Sequence, residues 1–371
     1  MIHTVSFPGL GLTFTLNRVA FTLLGRPVYW YGIIIASGLL LAVFLCGKWG
    51  KRFGITEDQI TDMMICAVPV ALVAIRAYYV IFNLGLYRRA DGSLDWGAIL
   101  RYSDGGLAIY GAILSSLVVL LLFCHVKKIS FLAFADLGVH GLFIGQLIGR
   151  WGNFMNVEAY GGVTGLPWRM CSESIASSLL SQGLVDADGY QAILDGTLGV
   201  HPTFFYESLW NFVGIFLIYW IGKHWKKFDG QVFWSYVLWY GLGRFWIEGL
   251  RTDSLYLFNW ELFGQRIRVS QALSIVMVAV AAFMLFYNIR IKKRSPESLW
   301  VHQVAAEKAR LAAAEAEDAV LAETLMNEVP TEGEAADPLE TEAVETPDAE
   351  TVPDTETQEK PEKGETHGNE N

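Results

Sequence analysis

Charge is scarce in this chain, with Asp, Glu, Lys and Arg making up only 18% of 371 residues, and cysteine is scarcer still. The four cysteines, at 46, 66, 124 and 171, form no CxxC pair and have no metal-ligand spacing, and the first three lie in apolar segments. No disulfide framework and no structural zinc are expected, and nothing calls for a metal or another cofactor. The start of the chain also lacks a basic stretch running into an apolar segment that ends in small residues. A cleavable signal is therefore not expected, and the first apolar span must itself direct insertion.

What the chain has instead is hydrophobic length. Hydrophobic residues are 53% of the total, and Trp30 to Cys46 with its flanks and Val269 to Ile289 approach or exceed the roughly 20 residues that cross a bilayer as helix. The reading is an all-α integral membrane protein of about seven transmembrane helices, near 29–48, 60–83, 104–124, 131–150, 201–222, 231–250 and 269–290. A small extracytoplasmic head is expected within about 152–200 and an arm at 252–268, carrying Trp260, Phe263, Arg266 and Arg268. Residues 1–28 hold a Pro-Gly-Leu-Gly turn and an alternating stretch, Leu12 to Asn17, that suits a short interfacial strand or a segment lying flat on the membrane.

The net charge of −10 divides unevenly. Residues 295–371 hold 21 acidic and 4 basic residues, against 17 acidic and 24 basic in the rest, so the membrane body is near +7. The short runs at 48–52, 127–128, 223–227 and 290–294 hold 12 Lys and Arg, which puts those loops and the C-terminus in the cytoplasm and the N-terminus outside. The membrane body is expected over 1–294. Within the tail, 303–325 is Ala/Glu-rich and expected to be helical, and the Glu/Thr/Pro tract from about 328 is too poor in apolar residues to build a core.

Polar residues inside the apolar spans are the candidates for function, since burying them in hydrocarbon is costly. Gly149 to Gly162 places Arg150, Asn153, Asn156 and Glu158 at the end of an apolar span, where an unbroken helix would fan them over roughly 200°. The helix is therefore expected to end or unwind there, with Gly152, Gly161 and Gly162 supplying backbone freedom. In the second span Arg76 shares a face with Tyr79 and Asn83, and is either structural or in contact with substrate. In the sixth span Tyr240, Arg244, Glu248 and Arg251, at i, i+4, i+8 and i+11, fall within about 80° of one another on an ideal helix. An exposed i,i+4 ion pair contributes only about 0.2–0.5 kcal/mol, a poor reason to place two arginines at a membrane boundary. His201-Pro202 precedes Tyr206-Glu207 at the start of the fifth span, where Glu207 also suits the positive end of the helix dipole.

These blocks resemble the prolipoprotein diacylglyceryl transferases over roughly residues 20–292. The resemblance rests on the Gly149–Gly162 stretch, on Asp104-Gly-Gly-Leu-Ala-Ile-Tyr110-Gly, on the His-Pro and Tyr-Glu pairs, and on the Arg-x-x-x-Glu-x-x-Arg-x-Asp pattern from Arg244 to Asp253. It implies phosphatidylglycerol as donor, the lipobox cysteine of a preprolipoprotein as acceptor, and a thioether-linked diacylglyceryl group with glycerol 1-phosphate as products. It implies catalytic roles for Arg150, Arg244, Tyr110, Glu158 and Glu248, and substrate contacts for Arg150, Arg244, Asn153, Asn156, Tyr31, Tyr240, Arg251, Arg76 and Glu207. Tyr31 enters through the Tyr-Gly pair of the first span. Tyr110 is a departure, because many members carry there a histidine proposed as the base for the thiol.

Two alternatives stay open at the level of sequence. One is another membrane enzyme acting on anionic lipids, although the Asp or His/Ser nucleophile constellations of a head-group phosphatase are missing. The other is a lipid transporter or scaffold, against which the lack of a visible internal repeat weighs. No nucleic-acid partner is implied.

Overall fold

The computed structural model describes residues 2–89, 91–102, 105–252, 256–262 and 265–327. Strands β1 (Ile2–Phe7) and β2 (Leu12–Asn17) form an antiparallel hairpin, and β3 (Val19–Leu23) and β4 (Arg26–Tyr29) form a second. They lead into α1 (Trp30–Gly50), α2 (Glu57–Phe82), the short α3 (Trp96–Leu100), α4 (Ile109–Val126) and α5 (Phe131–Asn156). After β5 (Val163–Thr164), α6 (Glu173–Ser181), α7 (Ala187–Leu194) and β6 (Gly199–Val200) come α8 (Thr203–His224) and α9 (Gln231–Leu250). A hairpin of β7 (Tyr256–Leu262) and β8 (Gln265–Arg268), α10 (Val269–Phe286) and α11 (Trp300–Asn327) complete the described chain. Asp104, Asp253 and Phe263 of the sequence reading lie outside the described residues, as do the side chains of Trp260 and Arg266 and the tract from 328.

Among the described residues, six helices are long and apolar enough to cross a membrane: α1, α2, α4, α5, α8 and α10. The protein is thus an all-α, multi-pass membrane protein, its strands confined to two-stranded hairpins and pairs. The remaining long helix, α9, has the bounds expected of the sixth span, but Trp, Tyr, Gly and the Arg244–Glu248 pair replace much of its aliphatic content. It does not need lipid on all sides, because it packs against α10, α8 and α5. α5 is the central helix; half of its span is buried, whereas in the other five the buried share is a third or less.

The end of α9 remote from the polar face is held by a residue of another helix. Gly230, its N-cap, has no side chain to satisfy the first amides, and buried Asp136 of α5 does so instead, accepting from Gly230 N–H at 2.9 Å and Phe233 N–H at 2.8 Å. Lys226 lies 3.0 Å from Asp136 and 2.9 Å from Asp229, so these buried charges are paired.

The helix end expected within Gly149–Gly162 comes late in that stretch: α5 runs past Gly152 to Asn156 and ends at Val157, which takes a left-handed φ of 53°. Helical geometry up to Asn156 is tolerated because Arg150 faces a carboxylate on α8 and Glu158 lies beyond the helix, so neither charge is forced toward lipid. Gly152 serves close packing rather than flexibility: a Cβ there would stand 2.8 Å from the Tyr31 ring.

The head combines segments far apart in sequence. The β1–β2 hairpin packs with α6 and α7 around Val5, Leu16, Ile175, Leu179 and Ile193, and Ser6 and Cys171 exchange backbone hydrogen bonds, both of 2.9 Å. The N-terminal residues are therefore part of the head.

The chain divides into one unit of Met1–Ala314 and another of Glu315–Asn371. The first unit extends past residue 294, since Leu299 is buried and Trp300 packs on the core near Phe53. The Trp300 amide donates to Asp229 at 2.7 Å and its indole to the Gly54 carbonyl at 3.3 Å. A chain ending at residue 304 is expected to melt with the full-length protein. One ending at 294 should melt lower, since burying one large apolar side chain is worth about 1.5–3 kcal/mol. Thermal unfolding of both in one detergent decides, and equal melting would mean that this contact contributes nothing.

Candidate functional site

At the head-facing end of the bundle three helices bring five charged side chains together. Glu207, in the second turn of α8, is buried, and Arg150 from α5 pairs with its Oε2. Arg244 and Arg251 from α9 approach the other oxygen, with Nη1 to Oε1 distances of 3.8 and 3.7 Å. Arg244 also places Nη2 2.6 Å from Oε2 of Glu248, its i+4 neighbour. The carboxylate side chains are 7% and 2% exposed, whereas those of Arg150 and Arg244 are 21% and 23% exposed. The acids thus form the back of the cluster and two of the cations its accessible front.

Desolvated charges persist only when paired, which explains why every acid here has a guanidinium. Arg150 and Arg244, backed by these acids and partly accessible, present paired donors of the kind that match a phosphate.

The loop after α5 ties the same three helices together through its backbone. Gly161 N–H donates to the His201 carbonyl at 2.9 Å, His201 N–H to the Gly162 carbonyl at 3.1 Å, and Gly162 N–H to the Leu250 carbonyl at 2.7 Å. Thr203 Oγ1 donates to the Ala159 carbonyl. A Cβ on Gly161 would stand 2.7 Å from His201 Cβ and 2.8 Å from the Leu250 oxygen, so close approach demands glycine there. Val157 and Ala159 both take positive φ, of 53° and 57°, a strain the surrounding bonds must hold.

The other residues expected at the site are spread around this centre. Asn156 donates from its side chain to Glu158 at 3.1 Å, and Glu158 is exposed. Asn153 is partly buried, and its carbonyl accepts the Glu158 amide at 3.1 Å. Tyr31 stands against Gly152, within electrostatic reach of Glu158 and Arg150. Tyr240 stacks on Tyr236 with ring centroids 5.8 Å apart, and the Tyr236 hydroxyl accepts from Gln146 at 2.8 Å, so the polar face of α9 continues inward from Arg244.

Two residues sit elsewhere. Tyr110, at the start of α4, is 60% exposed, and its ring neighbours Tyr78 of α2 at 6.2 Å. Arg76 is buried with its guanidinium on backbone carbonyls, donating to Ala98 at 2.7 Å, Ile99 at 2.8 Å, Gly106 at 2.9 Å and also to Gly105. It fastens the segment leading into α4, in whose first turn Tyr110 lies.

Sequence reasoning missed three participants. Arg18 donates to the Asn156 carbonyl, and with Tyr29, Tyr31 and Asn156 it lines a cavity of about 650 Å³. Arg268 donates to the carbonyls of Glu248 and Arg251, bracing the end of α9. The third is a polar chain in which Trp168 Nε1 donates to the Tyr206 hydroxyl at 2.6 Å and His201 Nδ1 lies 3.3 Å from that hydroxyl. Burial pushes the His201 imidazole below its ordinary value, favouring its neutral form. His201 and Tyr206 carried a local signal, in the His-Pro and Tyr-Glu pairs at the start of the fifth span.

The family model described as Prolipoprotein diacylglyceryl transferase matches residues 18–287. The phosphatidylglycerol–prolipoprotein diacylglyceryl transferase of Clostridioides difficile (strain 630) is 39% identical over 263 residues, 71% of this chain and 92% of the relative. Its namesake in Oceanobacillus iheyensis is 38% identical over 291 residues, 78% of this chain and 91% of that protein. That of Finegoldia magna is 38% identical over 279 residues, covering 75% and 97%.

Proposed function

The chain belongs to the prolipoprotein diacylglyceryl transferase family, and from that membership we propose how its residues move a diacylglyceryl group from phosphatidylglycerol to a prolipoprotein cysteine. Membership decides against both the head-group phosphatase and the transporter. The observation that carries the residue assignment is the cluster of Arg150, Arg244 and Arg251 on buried Glu207 and Glu248. Arg150 and Arg244, the accessible pair, bind the donor phosphate. Glu207 and Glu248 hold those guanidiniums in place, and Arg251 completes the field from the end of α9.

In the reaction the acceptor thiolate forms a C–S bond to a glycerol carbon of the donor while that carbon's bond to the phosphate oxygen breaks. The electron pair leaves with the phosphate, giving a thioether and glycerol 1-phosphate, and the thiol proton passes to water or to the departing phosphate. Guanidiniums fixed beforehand at the phosphate stabilise the charge that grows there, an effect commonly worth two to three orders of magnitude in rate per donor. The same field lowers the pKa of an arriving thiol from its reference value of about 8.5 and raises its thiolate fraction. Asn153 and Tyr240, flanking the arginines, and Tyr31 and Asn156, on the adjoining cavity, contact the donor. Exposed Glu158 remains the carboxylate placed to pass a proton outward.

The side carrying the cluster faces the outer leaflet, where an exported peptide arrives. The short basic runs at the opposite helix ends support this orientation, with the N-terminus outside and the C-terminus in the cytoplasm. The segment beyond about residue 304 is dispensable for transfer.

Tyr110 positions the acceptor rather than taking its proton, because a phenol with reference pKa near 10 is poorly matched to neutral pH. Tyr110→Phe should retain measurable transfer, with at most the loss of one hydrogen bond, typically about 0.5–1.5 kcal/mol net. Loss of several orders of magnitude at neutral pH, recovered as pH rises to ionise the peptide thiol, would identify Tyr110 as the base.

The function itself is tested with purified protein, phosphatidylglycerol and a synthetic lipobox peptide in detergent. The expected result is one diacylglyceryl adduct on the cysteine and one glycerol 1-phosphate released per adduct. Peptide left unmodified by a folded preparation would refute it.

A further inference from the structure

We propose that Arg18 is a capture site for the anionic phospholipid donor, holding its phosphate while one acyl chain lies along the first turns of α1. This rests on the donor assignment above. Arg18 follows β2, and its carbonyl accepts the Trp30 amide at 3.0 Å, which pins it beside the start of the first membrane helix. One terminal nitrogen donates to the Asn156 carbonyl, at the end of the helix that carries Arg150. Its Nε is buried and has no hydrogen-bonding partner among the described residues. An N–H so placed costs free energy unless a ligand completes it, and a guanidinium that reaches a protein carbonyl with one edge retains donors for an anion.

The surroundings specify which anion. The cavity of about 650 Å³ that Arg18 lines is otherwise walled largely by the apolar start of α1, through Val28, Tyr29, Gly32, Ile33 and Ala36. Arg18 also lines a second, more polar cavity of about 290 Å³ with Glu158, Ser174, Ser178, Gln182 and Thr252. A cation at the head of an apolar groove on a membrane helix matches a phosphate attached to an acyl chain. A soluble phosphate would leave the groove unused. The polar second cavity suits the glycerol headgroup beyond the phosphate.

A capture residue binds ground state and transition state alike, so it sets KM rather than kcat. Arg18→Gln, which can still donate to the Asn156 carbonyl but carries no charge, should raise KM for phosphatidylglycerol about tenfold with kcat within about twofold, the scale of one charged hydrogen-bonding group. Arg18→Lys should recover part of that loss. Gly32→Val tests the groove independently: nothing lies within 4 Å of a Cβ built at Gly32, so the side chain fills the groove without displacing the fold. It should raise KM for phosphatidylglycerol while leaving inhibition by soluble glycerol 1-phosphate unchanged.

An unchanged KM in Arg18→Gln, with normal transfer by the wild type, would overturn this inference and leave the donor assignment intact. So would equal falls in kcat for the Gln and Lys variants accompanied by lower melting temperatures, which would make Arg18 a structural brace. A folded wild type that takes no diacylglyceryl group from phosphatidylglycerol would instead remove the donor assignment on which it rests.

Discussion

Arg244→Lys is expected to lower kcat/KM for lipid transfer by about two to three orders of magnitude while the protein stays folded, the size of effect seen when one preorganised donor is removed from a site of developing charge. The geometry explains why a conserved charge does not suffice. Arg244 reaches two carboxylates at once, Glu207 through Nη1 and Glu248 through Nη2. A lysine ammonium is a single point on a flexible stem; it can satisfy one of those acids or a phosphate, and cannot present two parallel donors to any of them. Since Arg150 and Arg251 still neutralise Glu207, the buried charge retains partners and folding is spared. Circular dichroism and melting in detergent establish the fold, and initial rates at varied phosphatidylglycerol give kcat/KM. Near-normal turnover in a folded variant would show that bidentate recognition is the wrong explanation for this residue.

Glu207→Gln should lose both activity and stability. Glu207 is the carboxylate shared by Arg150, Arg244 and Arg251, and its neutralisation takes from all three guanidiniums the acid they hold in common. Removing one member of a buried charge network typically costs about 3–5 kcal/mol, because the remaining charges stay desolvated without their partner. Transfer should fall by at least about 100-fold, since a shift of about 1 Å in catalytic groups can cost that much. The two variants therefore separate two roles: Arg244→Lys lowers activity with little change in melting, and Glu207→Gln lowers both. A Glu207→Gln protein that melts with the wild type and transfers normally would mean that the arginines are held by something other than this acid.

The legible parts of the molecule were those written in local pattern. α9 occupies the expected 231–250, and its polar face was visible because Tyr240, Arg244, Glu248 and Arg251 recur at helical spacing within one segment. The apolar runs likewise gave the spans. What local pattern could not carry was the partner of each polar group. Arg150 is 57 positions from Glu207, and without that pairing local pattern placed the helix end only somewhere within Gly149–Gly162, whereas the helix runs on past Arg150 to Asn156. Ser6 pairs with Cys171, so residues read as an interfacial strand belong to the head. Arg76 illustrates a chemical limit: its position predicted an inward-facing side chain, but whether carbonyls or a ligand received it depended on α3, more than 20 residues away. Arg18 stands alone in its stretch and acquires meaning only from the cavities it borders.

The most direct test of the account is where the donor phosphate rests. A structure of the protein with an unreactive phosphatidylglycerol analogue, its reacting glycerol C–O bond replaced by C–C, should show phosphate oxygens within about 3 Å of guanidinium nitrogens of both Arg150 and Arg244. Those arginines should remain backed by Glu207 and Glu248. A phosphate bound away from both arginines, with their carboxylate pairs undisturbed, would contradict it.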